Sequence, residues 1–203
     1  MPEAATFRAR ATADRLAAAW LLSLAGLRRS EVLGLRWEDV DLEAGTVTIA
    51  RGRVAVTATM DAVDDPKSKR SARTLPVGDL PGVTAALRAL RKRQAEERLA
   101  LGAAYGPGGF LVVDEMGRPP RPEAYSDAFR RLCREAGVPS IRLHETRHTL
   151  VTTLRAAGLP DDEIAKWLGH SVAVMLSTYA RALPGSNERT GSAIAAAWAA
   201  SGS

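Results

Sequence analysis

The stretch RLHETRHTLVTTLRAAG (residues 142–158) predicts an amphipathic helix that stops at its final glycine. His144 and Arg147 are three residues apart within it, so they share one face of that helix. The next stretch, PDDEIAKWLGH (160–170), begins with a proline and acidic residues, which are typical of a helix start. Residues 172–182 are predicted to form another helix. This part of the chain is therefore expected to be a series of short helices.

The rest of the chain is predicted to be mostly helical, with one exception. GTVTIARGRVAVTAT (45–59) alternates and is rich in Val and Thr, which indicates a β-hairpin with its turn at Gly52. SARTLPV (71–77) is expected to be a third strand, after the polar connector DAVDDPKSKR (61–70). The predicted fold class is mainly α with a small three-stranded antiparallel β-sheet, an α+β arrangement. Its other predicted helices cover residues 12–25, 83–101 and 122–136.

The composition indicates one domain and an anionic partner. The chain has 203 residues, 46% of them hydrophobic, which is enough for one core of good size. Its net charge of +5 favours an anionic partner, most commonly nucleic acid. Cys133 is the single cysteine and no Cys/His cluster has zinc-ligand spacing, so we expect no disulfide, structural metal or cofactor. The longest apolar run, residues 16–27, is too short to cross a bilayer, so we expect no membrane partner and a cytoplasmic location.

Six polar residues form a consistent chemical set for phosphoryl transfer. Arginine presents a planar fork of donors that matches phosphate oxygens, and two arginines can neutralise a phosphoryl group in its transition state. A tyrosine can be the covalent nucleophile, but its phenolate is disfavoured at pH 7 by about 4 kcal/mol. A histidine and nearby positive charge offset that cost, and a lysine can protonate the leaving oxygen. The residues are Arg28, Lys67, His144, Arg147, His170 and Tyr179.

Each member of this set also has a plainer interpretation when it is taken alone. Arg28 can form a surface salt bridge with Glu31, three residues later. His144 and Arg147 can be a hydrogen-bonded structural pair. His170 resembles an ordinary residue at a helix end, and a lone tyrosine is most simply a core or surface aromatic. The combination of these residues, rather than any one of them, favours a catalytic role.

Four blocks of the sequence carry a resemblance to a known family. They are AGLRRSEVLGLRWEDVDL (25–42), PKSKRSARTLPV (66–77), LHETRHTLVTTLRAAG (143–158) and IAKWLGHSVAVMLSTYAR (164–181). In this order and spacing the chain, from about Ala11 to Arg181, resembles the catalytic domain of the tyrosine recombinases, or phage-type integrases. The resemblance implies the fold of that catalytic domain. It also implies a DNA strand transferase that cleaves and rejoins DNA through a 3′-phosphotyrosyl intermediate.

The resemblance implies a role for each matching residue. Arg28 corresponds to the first catalytic arginine, Lys67 to the lysine of the β-hairpin loop, and His144 and Arg147 to the His-x-x-Arg pair. His170 matches a position that holds His or Trp, and Tyr179 matches the nucleophile. Lys69 lies two residues from Lys67, so the choice of lysine stays open, with Lys67 favoured. The supporting residues implied are Glu31 and His148, and the expected DNA-backbone contacts are Lys69, Arg70, Arg73 and Arg142.

The resemblance also implies an organisation and partners. We expect a single catalytic domain over residues 1–203, with a core at about 11–182 and a C-terminal tail at 183–203. Members of the family usually carry a DNA-clamping domain before the catalytic one, and this sequence departs from that pattern, so we expect no N-terminal core-binding domain. Ile194 and Trp198 form an apolar stripe in that tail. The implied partners are double-stranded DNA and further copies of the chain, as a tetramer on DNA at the nucleoid. Two alternatives remain: a DNA-binding protein of this fold that does not recombine by itself, and a topoisomerase of the tyrosine type.

Overall fold

The structure, a computed structural model, is mainly helical and describes residues 2–55, 61–64 and 72–178. Within these ranges five β-strands accompany eight α-helices. The helices are α1 Pro2–Ala11, α2 Ala17–Leu24, α3 Arg29–Gly34, α4 Val83–Leu101, α5 Pro122–Glu135, α6 Leu143–Ala156, α7 Asp161–Leu168 and α8 Val172–Thr178. The strands are β1 Val40–Asp41, β2 Thr46–Ile49, β3 Gly52–Ala55, β4 Asp61–Asp64 and β5 Arg73–Pro76.

Within the described residues the predicted helices are confirmed except at the start of the chain, and the end of the helix predicted over 172–182 lies outside those residues. The helix predicted over 12–25 begins only at Ala17, because the Asp14 carboxylate accepts hydrogen bonds from the Leu16 N–H and the Trp20 indole N–H and holds a turn there. Helix α1 was not expected, since it contributes a single large apolar residue and no clear apolar period. That residue, Phe7, is nevertheless buried against Phe129. Core packing therefore begins before the predicted boundary at residue 11.

A three-stranded antiparallel sheet is present, but its strands pair differently from the prediction. Strand β2 lies between β1 and β5, with Val47 opposite Leu75 and Ile49 opposite Arg73. Strand β3 instead pairs with β4 in a separate two-stranded sheet, so the predicted hairpin turn at Gly52 is wrong. The predicted connector 61–70 is also wrong in part, because β4 occupies its start.

Close packing on α3 explains why β2 and β3 separate. The chain crosses α3 so closely that a side chain at Gly34 would come within 3.1 Å of the Gly52 Cα. Farther along β3, the Arg53 guanidinium donates to the Pro120 carbonyl, which ties this strand to the segment before α5. An alternating pattern identifies strands but not their partners. The pairing here depends on tertiary contacts that the pattern does not contain.

Two apolar clusters hold the helices in place. In the main core the Trp20 ring stacks on Tyr125, and the Tyr125 hydroxyl lies 3.0 Å from the Ser23 hydroxyl. A smaller cluster joins α6, α7 and α8 through Val151, Ile164, Ala165, Leu168 and Met175. Trp167 packs against both clusters and therefore fixes α7 relative to the main core.

The buried amide of Gln94 gives a test of this packing. Its Oε1 accepts from the Trp37 indole at 2.7 Å, and its Nε2 donates to the Leu111 carbonyl at 2.9 Å. Gln94→Leu would remove both bonds, so we expect the free energy of unfolding to fall by about 1–3 kcal/mol in urea denaturation. Lys92→Ala, on the exposed side of α4, should change it by less than about 0.5 kcal/mol. Equal stability of the Gln94→Leu and unsubstituted chains would contradict this account.

Candidate active site

The candidate site forms where four segments meet at the C-terminal end of α7. The loop before α3 supplies Arg28, α3 supplies Glu31, and β5 supplies Arg73. Helix α6 supplies Arg147, whose side chain is almost completely buried, and the residue after the α7 cap is His170. Four of the residues predicted from the sequence are thus in one cluster, together with Arg73.

Three successive carbonyls at the end of α7 each accept a hydrogen bond from a different arginine. The Trp167 carbonyl accepts from Arg73 Nε at 2.7 Å, the Leu168 carbonyl from Arg147, and the Gly169 carbonyl from Arg28 at 3.2 Å. The last carbonyls of a helix lack partners within the helix and carry partial negative charge, which favours cations. This helix end therefore places three guanidinium groups side by side.

Gly169 is required at the helix end for two reasons. Its φ of +62° is in the left-handed region, where a glycine ends a helix without steric cost. A Cβ at this position would also lie 2.5 Å from an Arg73 nitrogen. The glycine therefore permits both the turn into His170 and the close approach of Arg73.

Glu31 is a buried carboxylate shared by two arginines. Its two oxygens accept from Arg73 at 3.0 and 3.1 Å, and Arg28 donates to it from its guanidinium and from its backbone N–H, each at 2.7 Å. Burial alone would raise the pKa of Glu31, but the hydrogen bonds and charges of Arg73 and Arg28 outweigh burial and lower that pKa. The Arg28–Glu31 pair is therefore an internal pair of the site, since the Glu31 side chain is 7% exposed.

Burial and the contact with Arg147 together keep His170 neutral. Its guanidinium donates to the carbonyls of Gly26 and Leu168, and a terminal nitrogen lies 3.0 Å from His170 Nε2. Because a guanidinium has donors only, Nε2 must accept, and the proton of the neutral imidazole is on Nδ1. Burial, followed by the charges of Arg147 and Arg28, lowers the pKa of His170 to about 4. His170 is therefore neutral at physiological pH.

His144 and His148 lie one helical turn apart on α6, with their rings in edge-to-face contact at 4.8 Å between centroids. Burial lowers the pKa of His144, and the positive charges of His148, Arg147 and Arg28 lower it further. Glu145 accepts a hydrogen bond from the Arg142 backbone N–H and so caps the start of α6. The Arg142 side chain is 85% exposed.

Several predicted residues lie outside the described part of the chain. They are Lys67, Lys69, Arg70, Tyr179, Ile194 and Trp198. Arg73 is described, and its position differs from that of a solvated contact to a DNA backbone, because both of its terminal nitrogens donate to the buried Glu31 carboxylate and its Nε donates to the Trp167 carbonyl. A signal for this burial exists in the sequence. Arg73, Leu75 and Val77 alternate along one strand face, and the two apolar members are buried.

The cluster suits an anionic ligand rather than a cation. Two arginines and a neutral imidazole converge, and the Arg28 side chain keeps about one third of its surface exposed, at 33%. Among residues 2–55, 61–64 and 72–178, no group of three or more His, Cys, Asp or Glu is arranged to hold a metal ion.

In the same ranges no helix is long and apolar enough to cross a membrane.

Solved structures share this fold. The Tn1549 transposon integrase, in a complex with circular intermediate DNA, matches with a TM-score of 0.76 at 23% identity, over 95% of this chain and 65% of that one. The XerA recombinase matches with a TM-score of 0.67 at 20% identity, over 94% of this chain and 60% of that one. The architecture is therefore that of tyrosine recombinase catalytic domains.

Sequence comparison shows the family. The model of the phage integrase family matches residues 2–185. A XerC-like tyrosine recombinase of Caldanaerobacter subterraneus subsp. tengcongensis is 31% identical over 185 residues, which cover 84% of this chain and 46% of that protein. The integrase of Mycobacterium phage L5 is 29% identical over 164 residues, covering 80% of this chain and 42% of the phage protein. The chain belongs to the phage integrase family, and it spans less than half the length of these two relatives.

The His170 environment gives a titration prediction. In NMR of the folded chain, the His170 ring should titrate with a midpoint near pH 4, because burial and Arg147 disfavour its charged form. The unfolded chain has a histidine pKa near 6.5, so it binds more protons between about pH 4 and 6.5. The contribution of His170 to stability should therefore decrease as pH falls through that window. A His170 midpoint at or above pH 6.5 would contradict the geometry.

Proposed function

We propose that this chain is the catalytic domain of a site-specific DNA recombinase that cleaves and rejoins strands through a 3′-phosphotyrosyl intermediate. The observation that carries the proposal is the fixing of Arg28 and Arg147 by adjacent carbonyls at one helix end, beside a neutral His170. Two guanidinium groups held in this way suit the non-bridging oxygens of one phosphodiester. Membership of the phage integrase family supports the same reaction.

The proposed reaction is a phosphoryl transfer to Tyr179. The phenolic oxygen forms a bond to phosphorus, the bond from phosphorus to the 5′-oxygen breaks, and the 3′-phosphate remains on the tyrosine. The phenol gives its proton to His144, which acts as the base, and Lys67 gives a proton to the leaving 5′-oxygen. The reverse attack by a 5′-hydroxyl rejoins a strand and releases the enzyme.

The other residues of the site support this transfer. Arg28 and Arg147 hold the non-bridging oxygens, His144 assists proton transfer, and His170 assists phosphate positioning. Neutral His170 accepts from Arg147, so it orients this guanidinium without adding a further positive charge. Fixed donors of this kind require little reorganisation when charge develops in the transition state.

The proposed partners are double-stranded DNA and three further copies of the chain assembled on it, in the cytoplasm at the nucleoid. Exposed Arg142, with Lys69 and Arg70, would contact the DNA backbone. The solved Tn1549 integrase complex contains DNA, which supports this class of partner. We further propose that residues 1–203 act as one catalytic domain.

Formation of a covalent adduct tests the reaction. The substrate is a duplex library of randomised sequence with a single 5′-bridging sulfur, because a thiolate leaves without the proton that an alkoxide needs. On a denaturing gel the unsubstituted chain should form a protein–DNA adduct, and Tyr179→Phe should form none, since it lacks the attacking oxygen. Tyr105→Phe is a matched control, because this tyrosine lies under Arg98, near α4, and should keep the adduct.

The outcomes of this adduct experiment distinguish a recombinase from a protein that only binds DNA. Binding to the library without an adduct from the unsubstituted chain would leave the alternative, a DNA-binding protein of this fold. An adduct that still forms in the Tyr179→Phe variant would show that Tyr179 is not the nucleophile.

Metal dependence gives a second test of the proposed chemistry. Since Arg28 and Arg147 supply the positive charge at the phosphate, adduct formation should proceed at an unchanged rate in excess EDTA. The rate is measured on the same sulfur-bridged library, with and without added Mg²⁺. A strict requirement for Mg²⁺ would show that a different group stabilises the phosphoryl charge.

A further inference from the structure

Arg73 is a buried arginine to which the reaction proposed above gives no role. It is the first residue of β5, opposite Ile49 on β2. Among the described residues, its Nε donates to the Trp167 carbonyl at 2.7 Å, and its two terminal nitrogens donate to Glu31 at 3.0 and 3.1 Å. The planar fork therefore joins the sheet, α3 and the end of α7 at one point.

The contact with Glu31 connects Arg73 to Arg28. One oxygen of Glu31 accepts from Arg73 at 3.0 Å and from Arg28 at 2.7 Å. A carboxylate gripped by the two parallel bonds of a guanidinium has a fixed plane. The two hydrogen bonds from Arg73 therefore also fix the orientation of the Glu31 carboxylate toward Arg28.

The contact with Trp167 connects Arg73 to Arg147. The carbonyl that Arg73 binds is adjacent in sequence to the Leu168 carbonyl that Arg147 binds. The Trp167 indole also donates to the Ala25 carbonyl at 2.8 Å, one residue before Gly26, whose carbonyl accepts from Arg147. Arg73 thus contacts Trp167, and Trp167 is next to both backbone segments whose carbonyls bind Arg147.

We propose that Arg73 is a positioning residue of strand transfer, which holds Glu31 and the end of α7 so that Arg28 and Arg147 stay spaced for one phosphate group. This inference rests on the function proposed above. It replaces the DNA-backbone contact predicted for Arg73 from the sequence. A lysine could not substitute fully, because an ammonium is a single point of charge and cannot span Glu31 and Trp167 in one plane.

The test compares Arg73→Met, Arg73→Lys and a matched control in the full chain. Arg15→Met is the control, because Arg15 also grips one glutamate, Glu97, with two nitrogens and donates to a backbone carbonyl, that of Asp114. The readouts are the rate of adduct formation on the sulfur-bridged library at saturating protein, the affinity for that library, and thermal stability. Loss of either arginine should lower stability.

Rates should distinguish positioning from stability. Arg73→Met should slow adduct formation by about 10²–10³-fold, as is typical when an electrostatic donor is lost. Arg73→Lys should keep the fold and still lose about 10-fold, since it restores charge but not geometry. Affinity for the library should stay within about 2-fold for both, because the Arg73 nitrogens donate to Glu31 and to the Trp167 carbonyl and not to DNA phosphates. Arg15→Met should react at the unsubstituted rate once folded.

The pH profile gives a readout that a purely structural role would not change. The described charged and titratable groups around Glu31 are Arg28 at the start of α3, Arg73 on β5 and His170 after α7. Without Arg73, burial of Glu31 is opposed mainly by Arg28, so the carboxylate should protonate at higher pH. The acid side of the pH–rate profile should therefore move upward in Arg73→Met and move less in Arg73→Lys.

The outcomes separate this inference from the function on which it rests. An Arg73→Lys variant that reacts at the unsubstituted rate would overturn the inference, as would an acid limb that stays unchanged in Arg73→Met. Equal loss of rate in Arg15→Met would show that both arginines act only through stability. If the unsubstituted chain forms no adduct, the proposed function itself fails and this inference fails with it.

Discussion

The site depends on the carbonyl end of α7, where three successive peptide oxygens each bind a different arginine. Three guanidinium groups repel one another, and they stay together because this helix end and the Glu31 carboxylate supply negative charge. Glycine at position 169 lets the backbone turn away immediately after the last of these oxygens. The positions of Arg28, Arg147 and His170 all follow from this one arrangement.

The same arrangement explains how a strongly cationic site keeps a neutral histidine. A buried imidazole loses its proton more readily, a neighbouring guanidinium adds to this effect, and here the guanidinium also donates to the ring nitrogen. Among the described residues of this cluster, the arginines carry the positive charge, and the protonation of a guanidinium does not vary over the physiological range. The site can thus offer fixed donors and a neutral acceptor at the same pH.

Sequence reasoning predicted the described helices after residue 17, and it singled out Arg28, Arg147 and His170, which the structure brings together, because both results depend on local patterns. Apolar periodicity located α4, α5 and α6, and residue spacing placed His144 and Arg147 on one helix face. The partners of β2 and β3 were not recovered, because they depend on how closely the chain crosses Gly34. Arg73 was assigned to the surface since charge is usually solvated; its burial depends on Glu31, which lies 42 residues away.

The small apolar cluster between α6, α7 and α8 has a consequence for how the molecule loses function. This cluster is separate from the main core, and Trp167 packs against both. Regions with few buried apolar contacts open at a lower free energy than the whole domain does. A substitution that removes buried apolar contacts of Val151 or Ile164 should therefore release the end of α7 while the main core stays folded. In such a variant we expect inactivation to precede denaturation of the domain.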